Sequence, residues 1–272
     1  LAEINVPAED RLKSVIVAME RERWINRDLG KRHVLVNLTD FKAKIIDDGK
    51  VYFETRAVIG QNLSTHRTPE FSDVMEHMII NPTWNVPRSI AVKEYLPAFK
   101  RNPNSNGHLK LINGRGQVVD RSAIDFSAYT EKNFPFDLKQ PPSSRNALGL
   151  VKFMFPNPNN IYLHDTPSKS LFARDVRAFS HGCIRLSDPF DFAYALLAWQ
   201  SENPKAVFKS HLNTGRETQV DLVQPLPVHL IYRTAVGQPK GHMTYRRDVY
   251  GRDAAIWNAL AREGVELHAV QG

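Results

Sequence analysis

Apolar and polar positions divide the chain into a short helical start and a long β-rich remainder. From Val6 to Trp24, Leu12, Val15, Ile16 and Met19 recur at helical spacing, Pro7 suits a first-turn position, and Arg21, Glu22 and Arg23 give a charged end. From His33 the period falls to two. "HVLVNL" alternates as a strand, and "FKAKIIDDGKVYFETRAVIG" reads as two strands joined at Asp47-Asp48-Gly49, where Asp-Gly favours a tight turn. "HMIINPTW" predicts another short strand stopped at Asn81-Pro82, and "RSIAVKEYLPAF" over 88–99 predicts a short helix interrupted by Pro97.

Between Lys100 and Gly149 the chain turns rich in Asn, Gly, Pro and Ser, with "KRNPNSNGH" and "KQPPSSRN" as punctuation at either end and "LKLINGRGQVVD" as one small hairpin between them. This stretch promises a poor core and reads as an insertion or lid, since loops of this length in compact domains are usually functional. The strand signal returns at Leu150. "LVKFMF" and "IYLHD" flank the turn at 156–160 and predict a hairpin that ends near His164, after which a polar loop leads to Ser180. Asp188 as N-cap and Pro189 at the first helical position open "FDFAYALLAW" as a helix. "PVHLIYRTAV" and "HMTYRRD" follow as late strands, and "DAAIWNALARE" as a last helix. Strands outnumber helices without a steady βαβ rhythm, so the pattern predicts a mixed α+β, β-rich core and argues against a doubly wound sheet.

Composition narrows the function classes. The 272 residues are 42% hydrophobic and 24% charged, which is ordinary for a globular chain long enough to bury a large core. The nearest transmembrane candidate, Phe192 to Trp199, is far short of the ~18 apolar residues a spanning helix needs. No leader peptide opens the chain, and its first residue is not Met, which fits removal of an upstream part. The net charge of +7 favours an anionic partner: nucleic acid, phospholipid or an acidic wall polymer. Its Lys and Arg are scattered, with no zinc-finger spacing, RNP-like motif or basic arm, so nucleic acid is set aside.

Cys183 is the only cysteine, and it stands in "FSHGCIRL". A lone thiol forms no intramolecular disulfide and is either inert or reactive. Gly182 lets the backbone turn sharply before the thiol, amides around such a turn can bind an oxyanion, and Arg185 shares the face of Cys183 if the segment is extended. Arg185 is then a fixed cation suited to a carboxylate. A nucleophilic thiol needs a base. His181 is near in sequence, but His164 is the better candidate: it closes a predicted strand, and the 15-residue loop between it and Ser180 can fold back to Cys183. A zinc reading would use His164, His181 and Cys183, yet no second cysteine, H-E-x-x-H or C-x-x-C supports it. No carboxylate pair stands out by spacing for glycoside cleavage.

The order His164, fifteen residues, then Ser180-His181-Gly182-Cys183, followed by Ile184-Arg185-Leu186, resembles the signature of the L,D-transpeptidases, the YkuD-type catalytic domain. The resemblance covers about residues 8 to 260. "RTPEFSDVMEHMIINPTWNVPRSIA", "NALGLVKFMFPNPNNIYLHDTP", "PLPVHLIYRTAV" and "RRDVYGRD" look like segments of the longer Gram-negative YcbB-type members. Some of those relatives carry Ser where His181 stands here, which weakens an essential role for His181.

The resemblance implies a β-sandwich-like core and no cofactor or metal. The catalytic core would occupy 31–99 and 150–272, with a capping insertion at 100–149. Residues 1–30 would be an N-terminal helix and a junction, at "EINVP", from a peptidoglycan-binding domain outside this chain. It also implies attack by a cysteine on the third residue of a peptidoglycan stem peptide, loss of D-alanine, and transfer to the amine of a second stem. Cys183 is then the nucleophile and His164 the base and later acid. Asp165 would orient the imidazole through its carbonyl, and Gly182 and Cys183 would supply oxyanion N–H groups. Ser180 and His181 would shape the turn, and Tyr162, Arg185 and His181 would line the donor site. A carbapenem would be a covalent inhibitor, and the periplasm the location, where one thiol cannot mispair. Hydrolysis instead of transfer, attachment or cleavage of wall proteins, and a non-catalytic wall-binding module are the other readings.

Overall fold

The computed structural model describes residues 5–267, so the first residues of the "EINVP" stretch lie outside the described part. The opening helix is α1 (Ala8–Trp24), with Val17, Ala18 and Arg21 on its buried face. Arg21 is only 2% exposed, and its guanidinium reaches Glu70 at 3.0 Å and Asp253 at 3.2 Å. Those pairs tie α1 to the sheet and to the C-terminal helix.

Strands β1 (Arg32–Asn37), β2 (Lys42–Asp47) and β3 (Lys50–Gly60) follow as expected. Asp48 and Gly49 both take positive φ (48° and 74°), which matches the right-handed twist of the β2–β3 hairpin. Strand β4 (Phe71–Ile80) begins earlier than the apolar run "HMIINPTW" implies, because its first half exposes Ser72, Val74 and Glu76 and buries only Met75. Residues 88–101 form one continuous helical stretch: α2 (Arg88–Ile90), a π-helical turn (Ala91–Tyr95) and α3 (Leu96–Arg101). The expected break at Pro97 does not occur. The wider π turn just before it, closed by the Leu96 N–H donating to the Ala91 carbonyl, accommodates the ring and the missing donor.

Short strands β5 (Trp84–Asn85), β6 (Lys110–Ile112), β7 (Val118–Val119) and β8 (Asp137–Gln140) form a separate four-stranded sheet in the order β5-β8-β6-β7. Beneath it lies an apolar cluster that includes Trp84, Val92, Leu96, Phe99, Leu111, Phe126, Phe134 and Leu138. The polar composition of 100–149 hides this core because the helix at 88–101 supplies Ile90, Ala91, Val92, Leu96 and Phe99 to it, and the packed lobe therefore reaches back to Trp84.

The main sheet is completed by β9 (Val151–Met154), β10 (Leu163–His164), β11 (Ala178–Ser180), β12 (Ile184–Leu186) and β13 (Thr218–Ile231). Its order is β11-β3-β12-β10-β9-β4-β13-β1-β2, and β2 also pairs with β3, so the ladder closes on itself. Strand β3 makes this possible: its first half pairs with β2 and its second half with β12. The result is a flattened, sandwich-like β core filled by residues such as Val36, Ile45, Ile59, Met78, Phe153, Leu163, Ile184 and Leu230.

Helices α4 (Pro189–Leu197) and α5 (Pro204–Leu212) cover one side. Pro189 opens α4 as predicted, but Asp188 makes no capping bond to the helix; its carboxylate accepts the Thr55 hydroxyl at 2.7 Å instead. A small hairpin, β14 (Ala235–Gly237) with β15 (Met243–Tyr245), and α6 (Arg252–Arg262) end the described chain. No helix among the described residues is long and apolar enough to cross a membrane.

Candidate active site

Strand register assembles the candidate site. Strand β10 lies between β9, antiparallel to it, and β12, parallel to it. One row of in-register residues is Phe153, Leu163 and Ile184, all fully buried in the core. The next row is Lys152, His164 and Arg185, so these three side chains share the opposite face. Alternation carries Tyr162 to that face on β10, and Cys183 at the entry to β12. The Ile184 N–H donates to the Tyr162 carbonyl at 3.1 Å, which holds the end of the cysteine turn beside β10.

His164 is buried, and its Nδ1 lies in a short hydrogen bond with the Asp165 carbonyl. A carbonyl accepts only, so Nδ1 carries the proton and Nε2 is left as the basic nitrogen. The ring meets Tyr162 edge-on at 5.6 Å. Burial, reinforced by the Arg185 charge, pushes the imidazole down to about 3, against the pull of its backbone bonds to Asp165 and Leu148. Burial likewise pushes the half-buried Cys183 thiol up to about 11, although Tyr162, through its backbone and side chain, and the Arg185 and Lys152 charges all favour the thiolate. The resting pair is thus a neutral thiol and a neutral imidazole.

The turn into Cys183 is built around Ser180, whose hydroxyl donates to the Cys183 carbonyl at 2.5 Å and accepts the Gly182 N–H at 3.1 Å. The Gly182 amide, assigned above to the oxyanion, is therefore occupied in this state. Gly182 has φ 121°, and an added Cβ would stand 3.2 Å from Ile161 Cδ1, so glycine suits this position on both counts. Behind the turn, the fully buried Thr68 donates its hydroxyl to the Gly182 carbonyl at 2.7 Å and accepts the Gly60 N–H at 3.0 Å. The Tyr250 hydroxyl accepts the Thr68 N–H and donates to the Gly60 carbonyl.

His181 faces away from this row. Its Nε2 lies 2.7 Å from Glu94 Oε1 on the π-helical turn, and its ring packs edge-on against His66 at 4.4 Å. Through this pair, and through Tyr162, which packs against both apolar clusters, the second lobe touches the candidate site. The Asp165 side chain is committed elsewhere: its carboxylate accepts the Leu150 and Thr166 N–H groups and pairs with Lys169 at 2.6 Å.

Of the residues singled out in the sequence, Cys183, His164, Tyr162 and Arg185 share one face. Asp165 contributes its carbonyl, Ser180 and Gly182 build the turn, and His181 joins the second lobe. Among the described residues no group of three His, Cys, Asp or Glu could hold a metal ion. Sequence reasoning missed Lys152, Thr68, Glu94 and His66. For Lys152 a signal was present: it precedes core-facing Phe153 in "LVKFMF", so it lies on the other face of the strand.

Residues 31–220 match the YkuD family, described as the L,D-transpeptidase catalytic domain. A curated Haemophilus influenzae protein assigned as an L,D-transpeptidase is 32% identical over 228 residues, which are 82% of this chain and 45% of that protein. The chain thus spans under half the length of that relative. Two solved structures are similar over 74% of this chain: an Ldtfm–avibactam carbamoyl enzyme (15% identity, TM-score 0.36, 49% of that chain) and the Enterococcus faecium L,D-transpeptidase catalytic domain acylated by ertapenem (16% identity, TM-score 0.33, 97% of that chain). With the family matched across the β core and through the cysteine turn, this chain belongs to the L,D-transpeptidase catalytic-domain family.

Proposed function

We propose that the chain is the catalytic portion of a peptidoglycan L,D-transpeptidase, acting on stem peptides in the periplasm. The observation that carries this reading is the placement of the Cys183 thiol and the Nδ1-protonated His164 imidazole on one face of adjacent strands. On attack, Cys183 Sγ bonds to the carbonyl carbon of the third stem residue while its proton passes to His164 Nε2. The tetrahedral oxyanion takes the Cys183 amide, since the Gly182 amide is engaged by Ser180. Collapse breaks the bond to the fourth residue, and the imidazolium gives its proton to the leaving D-alanine nitrogen. The amine of a second stem then attacks the thioester, loses a proton to Nε2, and expels the thiol, which regains that proton.

The neutral resting pair constrains this sequence: with the thiol held up to about 11 and the imidazole down to about 3, the proton moves to His164 only as Sγ bonds to the carbonyl carbon and the negative charge passes to the oxyanion. Half-burial of the thiol limits water, the competitor of the acceptor amine. The test is mass spectrometry of products from a purified disaccharide-tetrapeptide, with Cys183→Ala as control. Cross-linked dimer from the wild type alone supports transfer, and tripeptide alone would assign hydrolysis. A carbapenem should add its mass covalently to the wild type and not to Cys183→Ala; undiminished turnover by that variant would overturn the mechanism.

A further inference from the structure

Two cations stand in the row that holds His164, one on each side, and neither has an anion. Lys152 lies on β9 and Arg185 on β12, both in register with His164. The half-buried Lys152 makes no hydrogen bond and no ion pair among the described residues; its ammonium lies 5.7 Å from the centre of the Tyr162 ring. Glu217, whose charge reaches it, is turned to the Thr83 N–H and forms no salt bridge with it. Arg185 likewise lacks an ion-pair partner, and its Nε is buried without a hydrogen bond. Half-buried cations left unpaired beside a neutral imidazole are unfavourable unless an anion joins them.

The direction of the reaction says which anion goes where. Across the sheet the order is β12, β10, β9, hence Cys183 and Arg185, then His164, then Lys152. The acyl half of the donor bonds to Cys183. The leaving residue must bring its nitrogen to His164, which protonates it, so its far end points beyond β10 toward β9. Neighbouring strands lie about 4.8 Å apart, which places Lys152 one strand past the histidine, within reach of a group one residue beyond the scissile bond.

We propose that Lys152 is a substrate-binding residue that takes the C-terminal carboxylate of the leaving D-amino acid, and so restricts donors to stems that end one residue past the scissile bond. This assignment rests on the transpeptidase reading above. It divides the two cations by role: Arg185 stands on the acyl side, and Lys152 on the leaving side.

The test compares a disaccharide-tetrapeptide bearing a free C-terminal carboxylate with the same donor capped as the amide. Binding to the Cys183→Ala protein is measured by calorimetry, and KM and kcat are measured with the active enzyme. The free acid should bind about tenfold to a hundredfold more tightly than the amide, as expected for a charged hydrogen bond. Lys152→Met should erase that preference by weakening the acid alone, and should raise KM for the acid more than it lowers kcat. Lys152→Arg should restore part of the preference. A preference that persists in Lys152→Met overturns the assignment, as does equal loss for acid and amide. Should Lys152→Met fail to fold, the comparison of donors on the protein with Lys152 intact still decides: equal binding of acid and amide overturns it. Binding of neither donor, with no carbapenem adduct in the wild type, would remove the transpeptidase reading itself and Lys152 with it.

Discussion

Acid should destabilise this protein through His164, and a single substitution should remove the effect. The imidazole is held down to about 3 in the folded protein, whereas an unfolded histidine titrates near 6.5. Between those values the unfolded chain binds a proton that the native state refuses, so stability is complete above the unfolded value and falls as pH drops toward the folded one. The full span corresponds to up to about 5 kcal/mol, and the part between pH 7 and pH 4.5 to about 2.5 kcal/mol. The comparison protein is His164→Gln, whose amide can still donate to the Asp165 carbonyl but cannot titrate. Urea unfolding at half-unit steps from pH 7.5 to pH 4.5 gives each stability, and the difference between the two proteins cancels every other titrating group. The wild type should lose about 2.5 kcal/mol more than His164→Gln over that range. Curves that stay parallel to within about 0.5 kcal/mol would refute the claim that burial keeps this imidazole neutral.

Three further outcomes are expected. Iodoacetamide should label Cys183 along a pH curve with its midpoint near 11, and a midpoint in the ordinary thiol range would refute the claim that burial raises this thiol. Thr68→Val keeps the shape of a fully buried residue but strands the Gly60 N–H and the Gly182 carbonyl. It should cost about 1–3 kcal/mol in urea unfolding and slow carbapenem acylation, and an unchanged acylation rate would separate Thr68 from the cysteine turn. Glu94→Ala should speed amide hydrogen exchange across residues 88–101 while shifting global stability by under about 0.5 kcal/mol, because the pair it forms with His181 is largely exposed. Unchanged exchange would show that this pair does not hold the second lobe to the turn.

Local patterns were readable wherever the signal was local. The Asp47-Asp48-Gly49 turn and the turn at 156–160 sit where predicted, since each depends on side chains a few residues apart; Asn157 alone receives the Asn159 and Ile161 N–H groups and donates to the Phe155 and Ile161 carbonyls. What depended on distant partners was misjudged. The first half of β4 reads as polar because Ser72, Asp73 and Glu76 break up its apolar residues, and only pairing with β13 makes it a strand. The polar stretch at 100–149 reads as a poor core because its apolar residues come singly or in pairs between polar ones, and they pack with the helix at 88–101.

The same distinction governs the candidate site. Cys183 and His164 were legible because one motif contains both, and Arg185 because it is two residues from the thiol. Lys152 was not, since its place beside His164 is fixed by the pairing of β9 with β10, not by any spacing along the chain. A one-residue slip in that pairing would send Lys152 into the core and bring Phe153 out to the site. Phe153 prevents the slip: it is fully buried and packs edge-on against Phe192 at 4.8 Å, so the core fixes the register that sets the lysine beside the histidine. The charge row is thus a product of hydrophobic packing on the opposite face. Phe153→Ala should therefore disturb the site as well as the core, even though its side chain never reaches the reacting face.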